Sequence, residues 1–412
     1  MTDVAVLKFG GTSVKSIARM QHVCEIIATS AKQRPTVVVV SAMGDTTDYL
    51  VKLAKQASPL PDKREYDLLL STGEQISIAL VAMMLTSMGL RARSFTGQQV
   101  GIFTETVHTK ARIVDIKAET LVQALKEHDA IVVAGFQGVT ESGDITTLGR
   151  GGSDTTAVAL AAAVGAPICD IYTDVDGIYT ADPNAIKGAR KLKRISYGEV
   201  LELARMGAQV LHPRSVELGR QYGVKLRVRN TFKPENEGTV IDDGGNQDME
   251  IFRTIRGVAV DKDQACVAIM DVPDQPGIAA KITQALADEN IIIDMIMQSF
   301  HPSIGLNNIT FTVGDADLDQ TIGVLKTLKE KMNAKEVIAD PDIAKVSLVG
   351  AGLSGQPQIP AKLFSVLGQA GINIKMISSS EMKITCVVSR DQAQQAAQLI
   401  HDAFELEDAV KK

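Results

Sequence analysis

Thr146-Thr147-Leu148-Gly149-Arg150-Gly151-Gly152-Ser153-Asp154-Thr155-Thr156 puts three glycines, one arginine, one aspartate and five hydroxyls into eleven residues. An alanine-rich apolar run, from Ala157 to Val164, follows it. The glycines let the backbone bend sharply and come close to a ligand. Ser153 or Asp154 is expected to cap the helix that the alanines promise. A flexible loop feeding a helix N-terminus is an anion site, because unpaired N–H groups and the helix dipole point the same way. Arg150 adds a planar fork for a carboxylate or a phosphate. Taken alone, the stretch is equally well a glycine-rich turn before a capped helix.

Upstream, Val4 to Phe9 is a short apolar run that reads as a buried strand, and Gly10-Gly11-Thr12-Ser13 follows it directly. An amphipathic stretch from about Val14 to Ala31 then reads as a helix. Lys8 sits at the carboxyl end of that strand, where open α/β sheets bind their ligands, and is placed like a phosphate-binding cation. Its plain alternative is a solvated strand end. Neither G-x-x-x-x-G-K-[ST] nor the H-R-D and D-F-G of protein kinases occurs, so the turn is neither a P-loop nor a kinase glycine loop. Thr36 to Val40 is a second buried strand, and it runs into the small-residue turn Ser41 to Thr47. A longer helical region, Glu65 to Met88, carries Glu74 inside an apolar run. There a carboxylate is either buried for function or marks a local helix start. Arg91 to Phe95, Ala130 to Ala134, Ile168 to Thr173 and Val224 to Val228 supply further strands. Apolar strands alternating with helices predict a mostly parallel sheet covered on both faces. The loops after residues 9, 40, 146 and 173 are expected to converge on one cleft.

The 412 residues are too many for one compact core, so two or three domains are expected. The chain has no tryptophan, six tyrosines and ten phenylalanines, with a net charge of −6. Scarce aromatics and negative charge argue against a nucleic-acid binder. No apolar run is expected to reach the roughly eighteen residues of a membrane span. The N-terminus lacks a basic region followed by an apolar one, so no signal peptide is expected. Four scattered cysteines and six scattered histidines form no ligand pairs. They fit reduced thiols in a cytoplasmic protein without a metal centre of its own.

Between Thr231 and Met249 the chain turns polar and acidic, which marks a domain boundary. Beyond it lies an internal repeat at a spacing of 81 residues. Ile278-Ala279-Ala280-Lys281-Ile282 recurs as Ile359-Pro360-Ala361-Lys362-Leu363, and Ile293 to Ser299 recurs as Ile374 to Ser380. Asn308 to Val313 matches Lys383 to Val388 at a spacing of 75, so the first copy is expected to carry a longer hairpin loop around His301-Pro302-Ser303. Each copy reads strand, loop, helix, strand, strand, helix.

Six ordered motifs now point one way. K-F-G-G-T-S (Lys8 to Ser13), V-V-S-A-M (Val39 to Met43), S-T-G-E-Q (Ser71 to Gln75), G-F-Q-G (Gly135 to Gly138), the stretch Thr146 to Thr156, and Y-T-D-V-D-G-I-Y-T-A-D-P (Tyr172 to Pro183) together resemble the aspartate kinases. The paired repeats resemble the two ferredoxin-like α+β ACT domains of the monofunctional form. The resemblance implies an amino-acid-kinase catalytic domain over 1–245, a first ACT region over 250–335 and a second over 336–412, one inserted in the other. It implies phosphoryl transfer from MgATP to the β-carboxylate of L-aspartate, the step that opens lysine, threonine and methionine synthesis. It places Lys8, Phe9, Gly10, Gly11 and Ser41 around the nucleotide, with Thr173, Asp174, Tyr179 and Asp182 on the nucleotide side. Thr47, Glu74, Arg150, Gly151, Gly152, Ser153 and Asp154 would surround aspartate. Arg150 would hold its α-carboxylate, Glu74 is a candidate for its α-ammonium, and Asp154 would organise Lys8. The alternatives are a related kinase acting on another acid, such as glutamate or N-acetylglutamate, and a catalytically decayed ACT amino-acid sensor.

Two positions depart from the family pattern. Asn184 and Gln209 stand where relatives often carry an arginine and a lysine, and Lys187 or Arg190 are the available substitutes. For regulation, the resemblance implies a site for lysine, threonine or both. It would lie at an interface between ACT units and involve Asp274, Gly277, Ile278, Gln298, Asn373 and Ile374. Met249 is a candidate internal start for a shorter chain. The expected assembly is therefore a homodimer through ACT domains or an α2β2 complex.

Overall fold

The computed structural model describes residues 4–206, 210–243, 255–299 and 305–407. The chain forms two compact units. One comprises Met1–Tyr179, Lys191–Arg205 and Gln209–Ile251, the other Thr180–Arg190, Met206–Ala208 and Phe252–Lys412.

The first unit begins with β1 (Ala5–Phe9), α1 (Ile17–Ala31), β2 (Thr36–Val40), α2 (Thr46–Ala57) and α3 (Lys63–Ser87). It continues with β3 (Ala92–Phe95), β4 (Ile102–Thr104), β5 (Ile113–Ile116), α4 (Glu119–Glu127), β6 (Ala130–Ala134), β7 (Gln137–Val139) and β8 (Ile145–Thr147). Then come α5 (Gly152–Ala163), β9 (Ile168–Thr173), β10 (Arg194–Ile195), α6 (Tyr197–Arg205), α7 (Pro213–Tyr222), β11 (Lys225–Asn230) and β12 (Thr239–Ile241). Eight strands form one sheet in the order β10-β12-β11-β9-β1-β2-β6-β3. Its pairs are parallel except β11 with β12, as expected from the apolar runs. All five residues of β2 and of β6 are buried, which is what helices on both faces demand. The alanine run of α5 is explained by depth. Its residues from Gly152 to Ala161 are all buried, and small side chains let it lie close to β1 and α7.

Several local expectations need correcting. The cap of α5 is Gly151, in the left-handed region at φ 66°, and neither Ser153 nor Asp154 caps it. Both lie inside the first turn. A separate four-stranded sheet, β5-β4-β7-β8, was not foreseen, because its strands are three or four residues long. The polar stretch after Thr231 still contributes β12 to the main sheet before the units divide. By length and composition α3 is apolar enough to cross a membrane, although polar residues interrupt it. Here it is a core helix, with Asp67 and Glu74 buried on it.

The second unit contains β13 (Ile255–Pro273), α8 (Ile278–Asp288), β14 (Ile293–Gln298), β15 (Leu306–Gly314), α9 (Leu318–Met332) and β16 (Glu336–Gly350). It ends with α10 (Gln358–Gln369), β17 (Met376–Ser379), β18 (Lys383–Ser389) and α11 (Ala393–Ala403). One antiparallel sheet runs β14-β15-β13-β16-β18-β17. The two long central strands are shared. Val258 to Asp261 of β13 pair with Lys345 to Leu348 of β16, while Cys266 to Met270 pair with Glu336 to Asp340, across register shifts between Asp261 and Cys266. The first half of β13 therefore belongs with the second repeat, and the first repeat is inserted after it. Positions 81 residues apart do the same packing in two separate cores. Ile282 and Leu363 are each 1% exposed, and Leu286 and Leu367 are fully buried. The loop around His301-Pro302-Ser303, Gln209 and Met249 lie outside the described residues.

The segment Thr180–Arg190 is part of this second unit. Ala181 and Ile186 join the hydrophobic core under α10 and α11. The Gln398 side chain brackets Lys187, accepting from its N–H at 2.8 Å and donating to its carbonyl at 3.1 Å. Gln394 donates to the Ala185 carbonyl, and Val258 N–H donates to the Thr180 carbonyl at 2.7 Å. A Cβ on Gly257 would lie 2.5 Å from that carbonyl, so only glycine admits the approach.

Candidate active site

A cavity of about 710 Å³ opens at the carboxyl ends of β1 and β2 in the first unit. Lys8, Gly10 and Gly11 line it from β1 and the turn after it. Ser41, Ala42, Gly44 and Thr47 come from the turn after β2, and Gly149 to Asp154 from the loop entering α5. The Lys8 Nζ lies 2.6 Å from Asp154 Oδ1, and each side chain is only about a tenth exposed. Asp154 sits in the first turn of α5, where the helix dipole favours a negative charge. A Cβ at Gly10 would lie 3.3 Å from the Lys8 Nζ, so the glycine keeps the ammonium approachable. At Gly11 a Cβ would meet the Ala42 carbonyl at 3.0 Å, and Gly44 N–H donates to the Gly11 carbonyl. The two turns thus pack backbone to backbone.

Glu74 faces this pair from α3. It is 3% exposed, its Oε1 accepts from the Ala42 N–H at 3.1 Å, and its Oε2 is buried with no hydrogen-bond partner among the described residues. Burial pushes its carboxyl up from 4.5 to about 8, against the pull of backbone hydrogen bonds. The raised pKa favours the neutral acid form of Glu74 near pH 7, and a positive group placed beside it would favour the carboxylate. One wall carries an ammonium and a helix N-terminus, and another a buried carboxyl. That arrangement suits an anion beside a zwitterion.

Residues 3–230 match the amino acid kinase family, and residues 267–330 and 346–404 each match an ACT domain. The chain is 47% identical over 408 residues to an aspartokinase of Bacillus sp. (strain MGA3), covering 99% of this chain and 98% of that one. The chain belongs to the aspartokinase family. Its fold is that of E. coli aspartokinase III solved with aspartate and ADP in the R-state, at a TM-score of 0.82 and 26% identity over 97% of this chain and 99% of that one. The same enzyme with lysine and aspartate in the T-state gives 0.78 and 27%, with the same coverage.

Within this aspartokinase-family site, Lys8, Gly10, Gly11, Ser41, Thr47, Glu74, Arg150, Gly151, Gly152, Ser153 and Asp154 share one cavity. Phe9 does not. It is fully buried, with its ring stacked on Tyr172 at 4.7 Å between centroids, so its side chain belongs to the core. Thr173, Asp174 and Tyr179 do not line this cavity, although β9, which ends at Thr173, pairs directly with β1. Asp182 lies on the segment held by the second unit and accepts from the Asn184 N–H at 2.9 Å. Lys187 and Arg190 lie on that same segment.

Tyr66, Leu70 and Thr109 line the cavity and were not singled out from the sequence, and Phe136 and Thr147 were quoted only within motifs, without a role of their own. Tyr66 and Leu70 precede Glu74 at intervals of four, so helical spacing from the carboxylate finds both. Thr109 has no sequence signal. It lies in a polar loop at φ 70° and reaches the cavity only through tertiary contacts. His212 was also missed. A Cβ on Gly151 would lie 2.1 Å from the His212 Cβ, so the imidazole residue backs the Gly149 to Asp154 loop directly. Burial lowers its pKa, with nearby Asp154 pulling the other way.

A second cavity of about 350 Å³ lies in the second unit at the N-terminus of α8. Asp274, Gly277, Ile278 and Gln298 line it, together with Asn307, which sequence reading did not find. Gly277 caps α8 at φ 92°. Asn373 and Ile374 are not on its wall, and Ile374 packs on the core of the second repeat.

Proposed function

We propose that the protein transfers the γ-phosphoryl group of ATP to the β-carboxylate of L-aspartate, giving 4-phospho-L-aspartate, and that amino acids bound at the α8 cavity inhibit it. The observation that carries this reading is the Lys8–Asp154 pair at the head of α5, facing the buried Glu74 across one cavity. Aspartate and ADP in E. coli aspartokinase III support it. The attacking carboxylate is already ionised at neutral pH, with a reference pKa near ~4, so the site needs no general base. What it must supply is alignment and positive charge for the moving phosphoryl group. Lys8, held by Asp154, supplies the charge. The glycines at 10 and 11 let the nucleotide phosphates lie against backbone, with Ser41 beside them. Arg150 takes the α-carboxylate of aspartate and Glu74 its α-ammonium, with Thr47 and Ser153 as hydroxyl partners. Thr173, Asp174, Tyr179 and Asp182 serve the nucleotide.

Mg²⁺ keeps most of its water and phosphate ligands in such sites and needs few carboxylates from the protein. Asp154, beside the Lys8 ammonium, suits one such contact, and the bound ion would neutralise charge on the phosphates. Among the described residues no cluster of three histidine, cysteine or acidic side chains could hold a metal ion alone.

Initial rates with ATP, comparing aspartate and glutamate side by side, test the reaction. Turnover with aspartate and little with glutamate is expected, and the reverse preference would sink the assignment. Titrating lysine and threonine separately and together identifies the inhibitor. Gln298→Ala is expected to weaken that inhibition and leave the uninhibited rate alone. An equal loss of rate without effector would make Gln298 structural instead.

A homodimer through ACT domains, or an α2β2 complex with a short chain begun at Met249, completes the proposal. Native mass spectrometry, with and without Met249→Leu, separates the two assemblies. Four free cysteines, three of them buried, fit a cytoplasmic enzyme.

A further inference from the structure

Asp67 lies on α3, seven residues before Glu74 and so on nearly the same face of the helix. It is completely buried, yet it has no contact role in the reaction proposed above and is not on the cavity wall. Its carboxylate gathers three donors from two separate loops. Oδ1 accepts from the Thr147 hydroxyl at 2.6 Å. Oδ2 is 2.9 Å from His108 Nδ1 and accepts from the Thr109 N–H at 2.9 Å. Thr147 ends β8, just before the Gly149 to Asp154 loop. His108 and Thr109 belong to the turn between β4 and β5. Thr109 and Thr147 both line the catalytic cavity.

The two loops are also tied to each other. Ala111 N–H donates to the Thr147 carbonyl at 3.0 Å. The Arg214 guanidinium donates to the Leu148 and Ala111 carbonyls at 2.9 and 2.8 Å. Gly149 is tucked so near the Thr109 carbonyl that a Cβ there would lie 3.2 Å away. Thr109 itself sits at φ 70°, a conformation uncommon for a threonine and held by surrounding contacts. A fully buried carboxylate costs free energy unless hydrogen bonds satisfy it. This one is satisfied only while both loops are in place.

We infer that Asp67, with His108, is a positioning and specificity-determining pair that fixes the Thr109 and Thr147 wall of the acid pocket. The inference rests on the aspartate kinase reading of that cavity. Asp67 touches no substrate. It holds the β4–β5 turn against the Gly149 to Asp154 loop, so that Arg150 and the threonine wall present a pocket of fixed size. Among the described residues, none of the hydrogen bonds made by Asp67 reaches Lys8, Gly10 or Gly11, and Lys8 is met only by Asp154 at the far end of the loop. The effect therefore falls first on the acid and not on ATP.

The test is steady-state kinetics of the full-length protein carrying Asp67→Asn, His108→Ala or His108→Asn. Asp67→Asn turns one oxygen into an N–H that faces a donor. It is expected to raise KM for aspartate about 10-fold or more, the scale for one charged hydrogen bond lost in a buried site, with KM for ATP unchanged. The ratio of glutamate to aspartate kcat/KM is expected to rise as well. His108→Ala is expected to do the same more weakly, and His108→Asn, whose amide N–H can replace Nδ1, to recover most of it. His108 lies in a turn and is 18% exposed, so its variants remain foldable even if Asp67→Asn is not. Parallel rises in both KM values, or an unchanged aspartate KM in folded His108→Ala, would overturn the inference. Wild-type protein with no turnover on aspartate would instead overturn the reaction assignment.

Discussion

Lys8→Ala should lower turnover by about 100-fold or more, the scale seen when one preorganised charge stabiliser is removed from an active site. The Lys8 ammonium is held 2.6 Å from Asp154 with little solvent around it, so its charge is weakly screened. Removing it does two things. The moving phosphoryl group loses its nearest protein cation, and the Asp154 carboxylate is left unpaired where anionic phosphates must arrive. Both raise the barrier, and the second also raises KM for ATP. Lys8→Arg should recover little. A planar guanidinium differs in shape and reach from an ammonium, and Gly10 leaves room fitted to a compact group. Rates at saturating ATP and aspartate, with circular dichroism to verify folding, decide the matter. Turnover near that of the wild type would remove Lys8 from the mechanism.

The second large effect is expected at Glu74. Glu74→Gln keeps the size of the side chain and an oxygen for the Ala42 N–H, but it cannot become negative. KM for aspartate should rise about 30-fold or more, since breaking a desolvated charge pair costs about 2 kcal/mol at least. With the pKa of Glu74 raised to about 8 by burial, an aspartate ammonium seated beside it is expected to displace a proton. Calorimetric binding enthalpies near neutral pH should therefore depend on the ionisation enthalpy of the buffer, and this dependence should vanish in Glu74→Gln. Stability moves in a defined direction. The folded pKa lies above the unfolded one, so the folded chain keeps a proton that the unfolded chain loses between pH 4.5 and about 8. Over that range Glu74 costs stability increasingly as pH rises, with no cost below it and the full cost above it. Glu74→Gln removes that cost, so its Tm should exceed that of the wild type at pH 8 and approach it at pH 4.5. Equal Tm values at pH 8 would show that the carboxyl is not penalised.

What the sequence revealed about this molecule follows from how local each signal is. The strand at Thr36 to Val40 and the helix expected from about Val14 to Ala31 are written in a few adjacent residues; the strand forms there, and the helix runs from Ile17 to Ala31. The 81-residue repeat was legible because burial imposes the same apolar positions on both copies. The chemistry-bearing side chains Lys8, Glu74, Arg150 and Asp154 stood out because charge beside glycine is rare in apolar runs. Thr109, His108 and Asp67 did not stand out. Their meaning lies in pairings across about forty residues or more, between a helix and a turn with no pattern of its own. Phe9 borders a glycine turn that lines the cavity, while its side chain faces the core. The cap of α5 was misread because a left-handed glycine can begin a helix without lending it a side chain.

The allotment of Thr180–Arg190 to the second unit has a consequence for cutting the chain. A break drawn near residue 245, where the composition changes, does not separate two self-sufficient halves. The upstream fragment would carry Ala181 and Ile186 with nothing to cover them, because their cover is the core under α10 and α11. The downstream fragment would have the matching vacancy, with Gln394, Gln398 and Thr180's partner His401 facing an empty groove. A stable excision has to follow the packing and not the order of residues, and the catalytic half is therefore not a module that can be lifted out at a single point.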